Sequence, residues 1–237
     1  MSGAVLKSIA VITMLIDHIG AAFFYVFTSS YDGSAAFAGA DMIQQVLRII
    51  GRTAFPLFCF LLVEGFLHTR SRIKYLLRLG VFAFLSEVPF DLAFYDVLWD
   101  TTMQNVFFTL FFGVLAMASL HWGENWHAAE PKKIWRRLVG LLGAVLCVGA
   151  AYLLRTDYAG GGVLLILVMY VLRNERVWVS LAGYATMCLV MMESWCFPAF
   201  FLIPKYNGEK GKSVKYFFYV FYPVHLLLLA GIRILYL

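Results

Sequence analysis

The chain has 237 residues, of which 62% are hydrophobic and only 14% charged. A soluble domain is roughly half apolar and about a quarter charged, so this composition excludes a soluble globular protein and predicts one embedded in a lipid bilayer. The formal net charge of +5 is small, and no basic face survives outside short loops, which excludes nucleic acid as a partner.

Runs of about 20 apolar residues are needed to cross about 30 Å of hydrocarbon. The first such run is 5–27, and it is too long and too charged inside for a cleavable signal. A loop containing Asp32 and Asp41 follows, then spans at 47–67, 75–95 and 105–121. The basic segment Lys132, Lys133, Arg136 and Arg137 forms a longer amphipathic loop before a span at 138–154. Shorter spans are predicted at 159–172, 177–192 and 195–204, the last interrupted by Pro198, and the final one at 215–236. The expected fold is therefore an all-α, polytopic bundle of about nine transmembrane helices, with eight to ten possible, in one domain over 1–237. No internal repeat is visible.

The loops after the second, fourth, sixth and eighth spans carry the Lys and Arg, whereas those after the first and third carry Asp. The positive-inside rule then puts the N-terminus and the basic loops in the cytosol of a cell whose inner membrane holds the chain. The four cysteines lie in apolar runs without metal-ligand spacing and read as small core residues.

Ionisable groups deep in a bilayer are costly, so those that occur there need a partner or a task. The first span carries Lys7, Asp17 and His18. Lys7 and His18, eleven apart, share a helix face, while Asp17 points about 100° away and can serve a different neighbour. Arg48 and Arg52 stand four apart, as do Glu64 and His68, and Glu87 and Asp91, and His225 follows Pro223 in the last span. Depth matching groups Arg48 and Arg52 with Glu87 and Asp91, near His18. Bland readings stand beside these. Lys7, His68 and Arg78 can snorkel from helix ends, Arg52 with Asp91 can be an architectural ion pair, and Glu87 can satisfy backbone freed by Pro89.

Several of these stretches resemble the TraX family. They are Lys7-Ser-Ile-Ala with Met14-Leu-Ile-Asp-His-Ile-Gly20, Arg48-Ile-Ile-Gly-Arg52-Thr-Ala-Phe-Pro56, and Glu64-Gly-Phe with His68-Thr-Arg70. Lys74-Tyr-Leu-Leu-Arg78, Ser86-Glu-Val-Pro-Phe-Asp91, Asn105-Val-Phe-Phe-Thr109, Tyr206-Asn-Gly208 and Tyr222-Pro-Val-His225 continue the match in order. Between about 120 and 195 the likeness is only in hydrophobic character. The resemblance implies a membrane acetyltransferase that takes acetyl-CoA as co-substrate and passes the acetyl group to a peptide N-terminal amine, as on pilin, or to a sugar hydroxyl. It needs no metal. Composition and spacing alone do not reach acetyl transfer.

On that reading His18 is the general base, or carries the acetyl group, and Asp17 or Asp91 fixes its tautomer. Arg52 stabilises the oxyanion or holds the donor, Glu87 binds an acceptor amine or orients Arg52, and His225 joins the catalytic set. The CoA nucleotide is expected on Tyr206, Asn207, Gly208, Lys210 and Lys212, where glycines let backbone N–H groups approach phosphate, and on Arg70. The competing expectations are a proton-coupled small-molecule carrier, which intramembrane carboxylates and broken spans suit, and a non-catalytic assembly protein.

Overall fold

The computed structural model describes residues 1–28, 35–124, 130–212 and 217–236; Asp32 of the first loop lies outside them. Helices run in the order α1 (Gly3–Thr28), α2 (Ala35–Gly51), α3 (Ala54–His68), α4 (Arg72–Phe94), α5 (Val106–Glu124), α6 (Glu130–Leu153), α7 (Ala159–Val171), α8 (Arg176–Val190), α9 (Phe197–Leu202) and α10 (Phe217–Tyr236). Among the described residues there is no strand, only an isolated bridge between Gln104 and Thr156. The all-α class expected from composition is what the chain adopts.

Among the described residues five stretches are long and apolar enough to cross a membrane: Gly3–Phe23, Asp41–His68, Val106–Glu124, Lys133–Leu153 and Phe217–Leu235. The chain is an integral membrane protein. Its outward faces match, since Leu138, Leu141, Leu142, Val145 and Leu146 of α6 are all exposed. Helix α4 has the length, but Arg72, Lys74, Arg78, Glu87 and Asp91 interrupt its apolar sequence. Helices α7 and α8 are shorter, at 13 and 15 residues.

Three boundaries differ from the sequence reading. The supposed crossing at 195–204 is the six-residue helix α9 followed by a 3₁₀ turn; six residues rise only about 9 Å. Residues 35–46, read as loop, form the start of α2. Ala, Met and Gln favour helix there, and Met42, Ile43, Val46 and Ile50 make an exposed apolar stripe. The basic segment at 132–137 lies within the first turns of α6 rather than in a loop.

The span expected at 47–67 is divided at Arg52-Thr53. Pro56 explains the division: it offers no N–H to the carbonyl of Arg52, four residues earlier. The ladder tightens instead, with the Thr53 N–H donating to the Ile50 carbonyl at 3.3 Å.

The chain divides into two compact units. The first comprises Met1–Leu61, Leu85–Asp100 and Glu193–Leu237. Here α1 packs on α2 and on α10. A Cβ at Gly51 would collide with Asp17, and one at Gly20 would lie 2.8 Å from Leu47 Cβ, so glycine lets the two backbones approach. Residues 205–211 fold against the start of α1. The Gly3 and Ala4 N–H groups donate to the carbonyls of Glu209 (2.7 Å) and Lys210 (2.9 Å), and the Met1 ammonium donates to the Lys205 carbonyl (2.6 Å).

The second unit comprises Leu62–Phe84 and Thr101–Met192. Helix α5 packs on α6 and α7, α6 on α7, and α7 on α8. The α5–α6 seam is built from small residues, the membrane solution for close helix approach. A Cβ at Gly140 would meet the Ser119 carbonyl at 2.7 Å, and one at Gly143 would strike the Ser119 hydroxyl. Asn105 caps α5, accepting from the Phe107 N–H (3.0 Å) and donating to the Ala83 carbonyl (2.8 Å). Thr109 donates to the Thr156 hydroxyl at 2.8 Å in the core. Both residues of that family motif thus have architectural partners.

Candidate functional site

The first unit holds a histidine pair. His18 of α1 and His225 of α10 stack with ring centroids 5.0 Å apart and planes 4° from parallel. His18 Nδ1 lies 2.7 Å from His225 Nε2, and His225 Nδ1 lies 2.7 Å from the Phe221 carbonyl. The carbonyl only accepts, so His225 Nδ1 carries the proton. In a neutral pair His225 Nε2 is then an acceptor, and His18 donates through Nδ1. That leaves the lone pair on His18 Nε2, which has no hydrogen-bond partner among the described residues.

Aromatic rings wall the pair. Phe94 of α4 and Tyr222 of α10 meet His18 edge-on, at 5.4 and 5.9 Å between centroids, and Phe221 stacks on His225 at 4.8 Å. The i, i+4, i+7 spacing puts Glu87, Asp91 and Phe94 on one face of α4. Ser86, Glu87 and Asp91 are all fully or almost fully buried.

The charged groups pair differently from the depth matching. Asp17 binds Arg48 at 2.5 Å, at the last turn of α2. Arg52, in the break before α3, pairs with Glu193 at 3.3 Å. Asp91 accepts the Asp100 N–H at 2.8 Å, and its Oδ1 is buried without a hydrogen-bond partner. The ion pair that Arg52 makes is with Glu193 and not with Asp91. Arg52 keeps its helical hydrogen bond to the Arg48 carbonyl at 3.1 Å, and its side chain is taken by Glu193 instead. The partner that orients His18 is likewise a second histidine and not Asp17 or Asp91. Asp17 leaves α1 in another direction, one residue and 100° of helix away.

Glu193 and Arg233 went unrecognised in the sequence. Arg233 is 5% exposed; it donates to the Ala93 carbonyl at 3.0 Å and pairs with Asp96 at 2.8 Å. Asp96 takes a left-handed backbone (φ 61°) at the end of α4, which turns its carboxylate to that arginine. An arginine close to the end of the final span reads as a snorkelling cation, and only the fold gives it a partner.

Of the residues expected to hold CoA, Tyr206 is buried with its ring edge-on to Phe60 at 5.4 Å. Asn207 donates through its amide nitrogen to Glu209 (2.9 Å) and accepts the Glu209 N–H (3.1 Å), while its own N–H donates to the Met1 carbonyl (2.9 Å). Gly208 supplies a left-handed turn, φ 84°. The Asn207 and Glu209 N–H groups are therefore committed inside the protein, which removes them from any phosphate cradle. The Lys210 and Lys212 side chains are exposed, as is Arg70 in the second unit.

The second unit has its own polar constellation. His121 Nδ1 lies 3.2 Å from the Tyr170 hydroxyl, which donates to Glu124 at 3.2 Å; Glu124 pairs with Arg173 at 3.0 Å. Arg173 also covers the Tyr170 ring at 4.2 Å. These contacts clamp the ends of α5 and α7 together. His121 with Glu124, and Tyr170 with Arg173, each stand three apart, but nothing local links one pair to the other. Near it, Glu64 and His68 approach at 3.9 Å.

A partly buried, hydrogen-bonded histidine pair inside an all-α membrane protein defines the class to which this chain belongs. Residues 2–233 match the model of the family described as TraX protein, and the chain belongs to the TraX family. It is 29% identical over 253 residues to a protein described as probable fimbrial assembly protein FimC, serogroup H1, from Dichelobacter nodosus, covering 96% of this chain and 94% of the relative. No solved structure matches it.

Proposed function

We propose that this protein is an inner-membrane acetyltransferase, with its N-terminus in the cytosol, that moves acetyl from acetyl-CoA to an acceptor amine or hydroxyl. The fimbrial relative favours a pilin or similar peptide amine; a glycan hydroxyl is the other acceptor class. The observation that carries the reading is the hydrogen-bonded line from the Phe221 carbonyl through His225 to His18, which presents Nε2 of His18 as a base. A polar histidine pair walled by Phe94, Phe221 and Tyr222 is costly inside a membrane protein unless it has a task.

In the reaction, His18 Nε2 accepts the acceptor's proton as that atom attacks the thioester carbonyl. The new bond forms to the carbonyl carbon, the carbon–sulfur bond breaks, and the departing CoA thiolate takes the proton back from His18. Protonated His18 keeps Nδ1–H on His225, which spreads the imidazolium charge. Arg52 stabilises the oxyanion, with Glu193 setting its direction. Glu87 and Asp91 suit an acceptor amine. Lys210 and Lys212 supply cationic contacts for the donor.

Release of free CoA thiol by the purified protein tests the reading, wild type beside His18→Ala. Slow acetyl-CoA hydrolysis, lost in the variant, supports it. A folded wild type that releases none, but carries protons or solute across liposomes, belongs to the carrier alternative instead.

A further inference from the structure

We infer that Lys7 and Lys210 form a clamp for the phosphates of a CoA thioester, set one pantetheine length from His18. The inference rests on the acetyl-transfer reading and deepens it.

Lys7 is half-buried on α1, with its ammonium 4.5 Å from the centre of the Phe218 ring on α10. Its charged neighbour is another cation, Lys210, which the hydrogen bond from the Ala4 N–H to the Lys210 carbonyl holds at the start of α1. Among the described residues neither lysine has an ion-pair partner. Two neighbouring cations repel, and Lys7 is half out of water, so the arrangement is unfavourable until an anion joins them. Nor is the start of α1 itself an open anion site, because carbonyls of the 205–211 segment accept its Gly3 and Ala4 N–H groups. Recognition at this end therefore falls to side chains.

The spacing selects the anion. Lys7 and His18 are eleven residues apart on one face of α1, a rise of about 16 Å. Phe218 and His225 are seven apart on the matching face of α10. At about 3.5 Å per residue-length, the pantoyl, β-alanyl and cysteamine units of the arm, roughly four residue-lengths, extend about 15 Å. A thioester carbonyl thus falls at His18 when the phosphates sit at Lys7. Inorganic phosphate or a lipid headgroup uses the cations but gains nothing from the distance. Between the two ends the α1 face is Val11 and Met14, both buried; Met14 is unbranched and repacks readily beside an entering arm.

CoA binding to the detergent-solubilised full chain, measured by calorimetry, tests the clamp. Lys7→Gln and Lys210→Gln should each weaken CoA about tenfold or more, the scale of a lost charge-assisted contact. Lys7→Arg should restore binding, and His18→Ala should bind like wild type. Melting temperatures equal to wild type exclude misfolding. If wild type binds CoA and both Gln variants bind it equally well, the clamp is overturned while acetyl transfer stands. If folded wild type does not bind CoA at all, both fall.

Discussion

His18 Nδ1 stands 2.7 Å from His225 Nε2, and the other nitrogen of His225 is spent on the Phe221 carbonyl. The consequence is that His225 controls which nitrogen of His18 is basic. Replacing it with Ala removes the acceptor without touching the substrate side of His18. Turnover of acetyl-CoA should fall on the order of 10²-fold, the low end of what a general base contributes. The double variant His18→Ala/His225→Ala should be little worse than His18→Ala alone, because the pair acts as one unit. Rates of CoA thiol release across the four proteins check this; independent, multiplying effects would refute it.

How much of this was legible in the sequence follows from the range of the interactions. Bilayer burial is a composition effect, so the all-α membrane class and most helix positions could be read directly. His18 stood out because an Asp–His dipeptide inside an apolar run is locally anomalous. His225 stood out too, beside Pro223, but its pairing with His18 did not, since it lies 207 residues away and nothing local links the two. The Arg52–Asp91 pairing failed because its competitor lies far along the chain: Glu193 holds Arg52 instead, again with no local link between them. Residues 35–46 were misread because polar Asp41, Gln44 and Gln45 hide a stripe of Met42, Ile43, Val46 and Ile50 that only the helix reveals.

The Asp17–Arg48 pair joins α1 to α2 with both side chains partly shielded, at 16% and 30% exposed. Arg48→Ala leaves the carboxylate unpaired beside Gly51, with Asp17 Oδ1 already lacking a hydrogen bond. A fully buried pair broken this way costs about 3–5 kcal/mol; water reaches this one, so a loss of roughly 1–3 kcal/mol is expected. The combined change Asp17→Asn/Arg48→Gln should recover most of it. Gly51→Ala should be as damaging as Arg48→Ala, since its methyl group lands on Asp17. Thermal unfolding in one detergent ranks the three variants against wild type.

Small residues hold the α5–α6 seam, and bulk there should separate the helices. Gly140→Leu places side-chain atoms where the Ser119 carbonyl and Gly123 now lie. Overpacking costs typically about 1–3 kcal/mol, and here the obstacle is backbone, which cannot rotate away. A clear drop in melting temperature is expected. Gly149→Leu on the same helix is the control, because a Cβ there meets nothing within 4 Å. Equal loss in the two variants would show that the seam has no special role.

The line His121–Tyr170–Glu124–Arg173 makes a prediction about coupling. Tyr170 is fully buried, and its hydroxyl lies between His121 and Glu124. Tyr170→Phe keeps the ring under Arg173 but strands the groups on both sides, at a cost of about 1–3 kcal/mol. Glu124→Gln keeps an acceptor for the hydroxyl and loses the charge that holds Arg173. If the four residues form one clamp between α5 and α7, the double variant should cost less than the sum of the singles, with a coupling of about 0.5–3 kcal/mol. Unfolding of wild type, both singles and the double completes the cycle. Strict additivity would mean that the hydroxyl and the ion pair act independently, and that α5 and α7 are held by their apolar contacts alone.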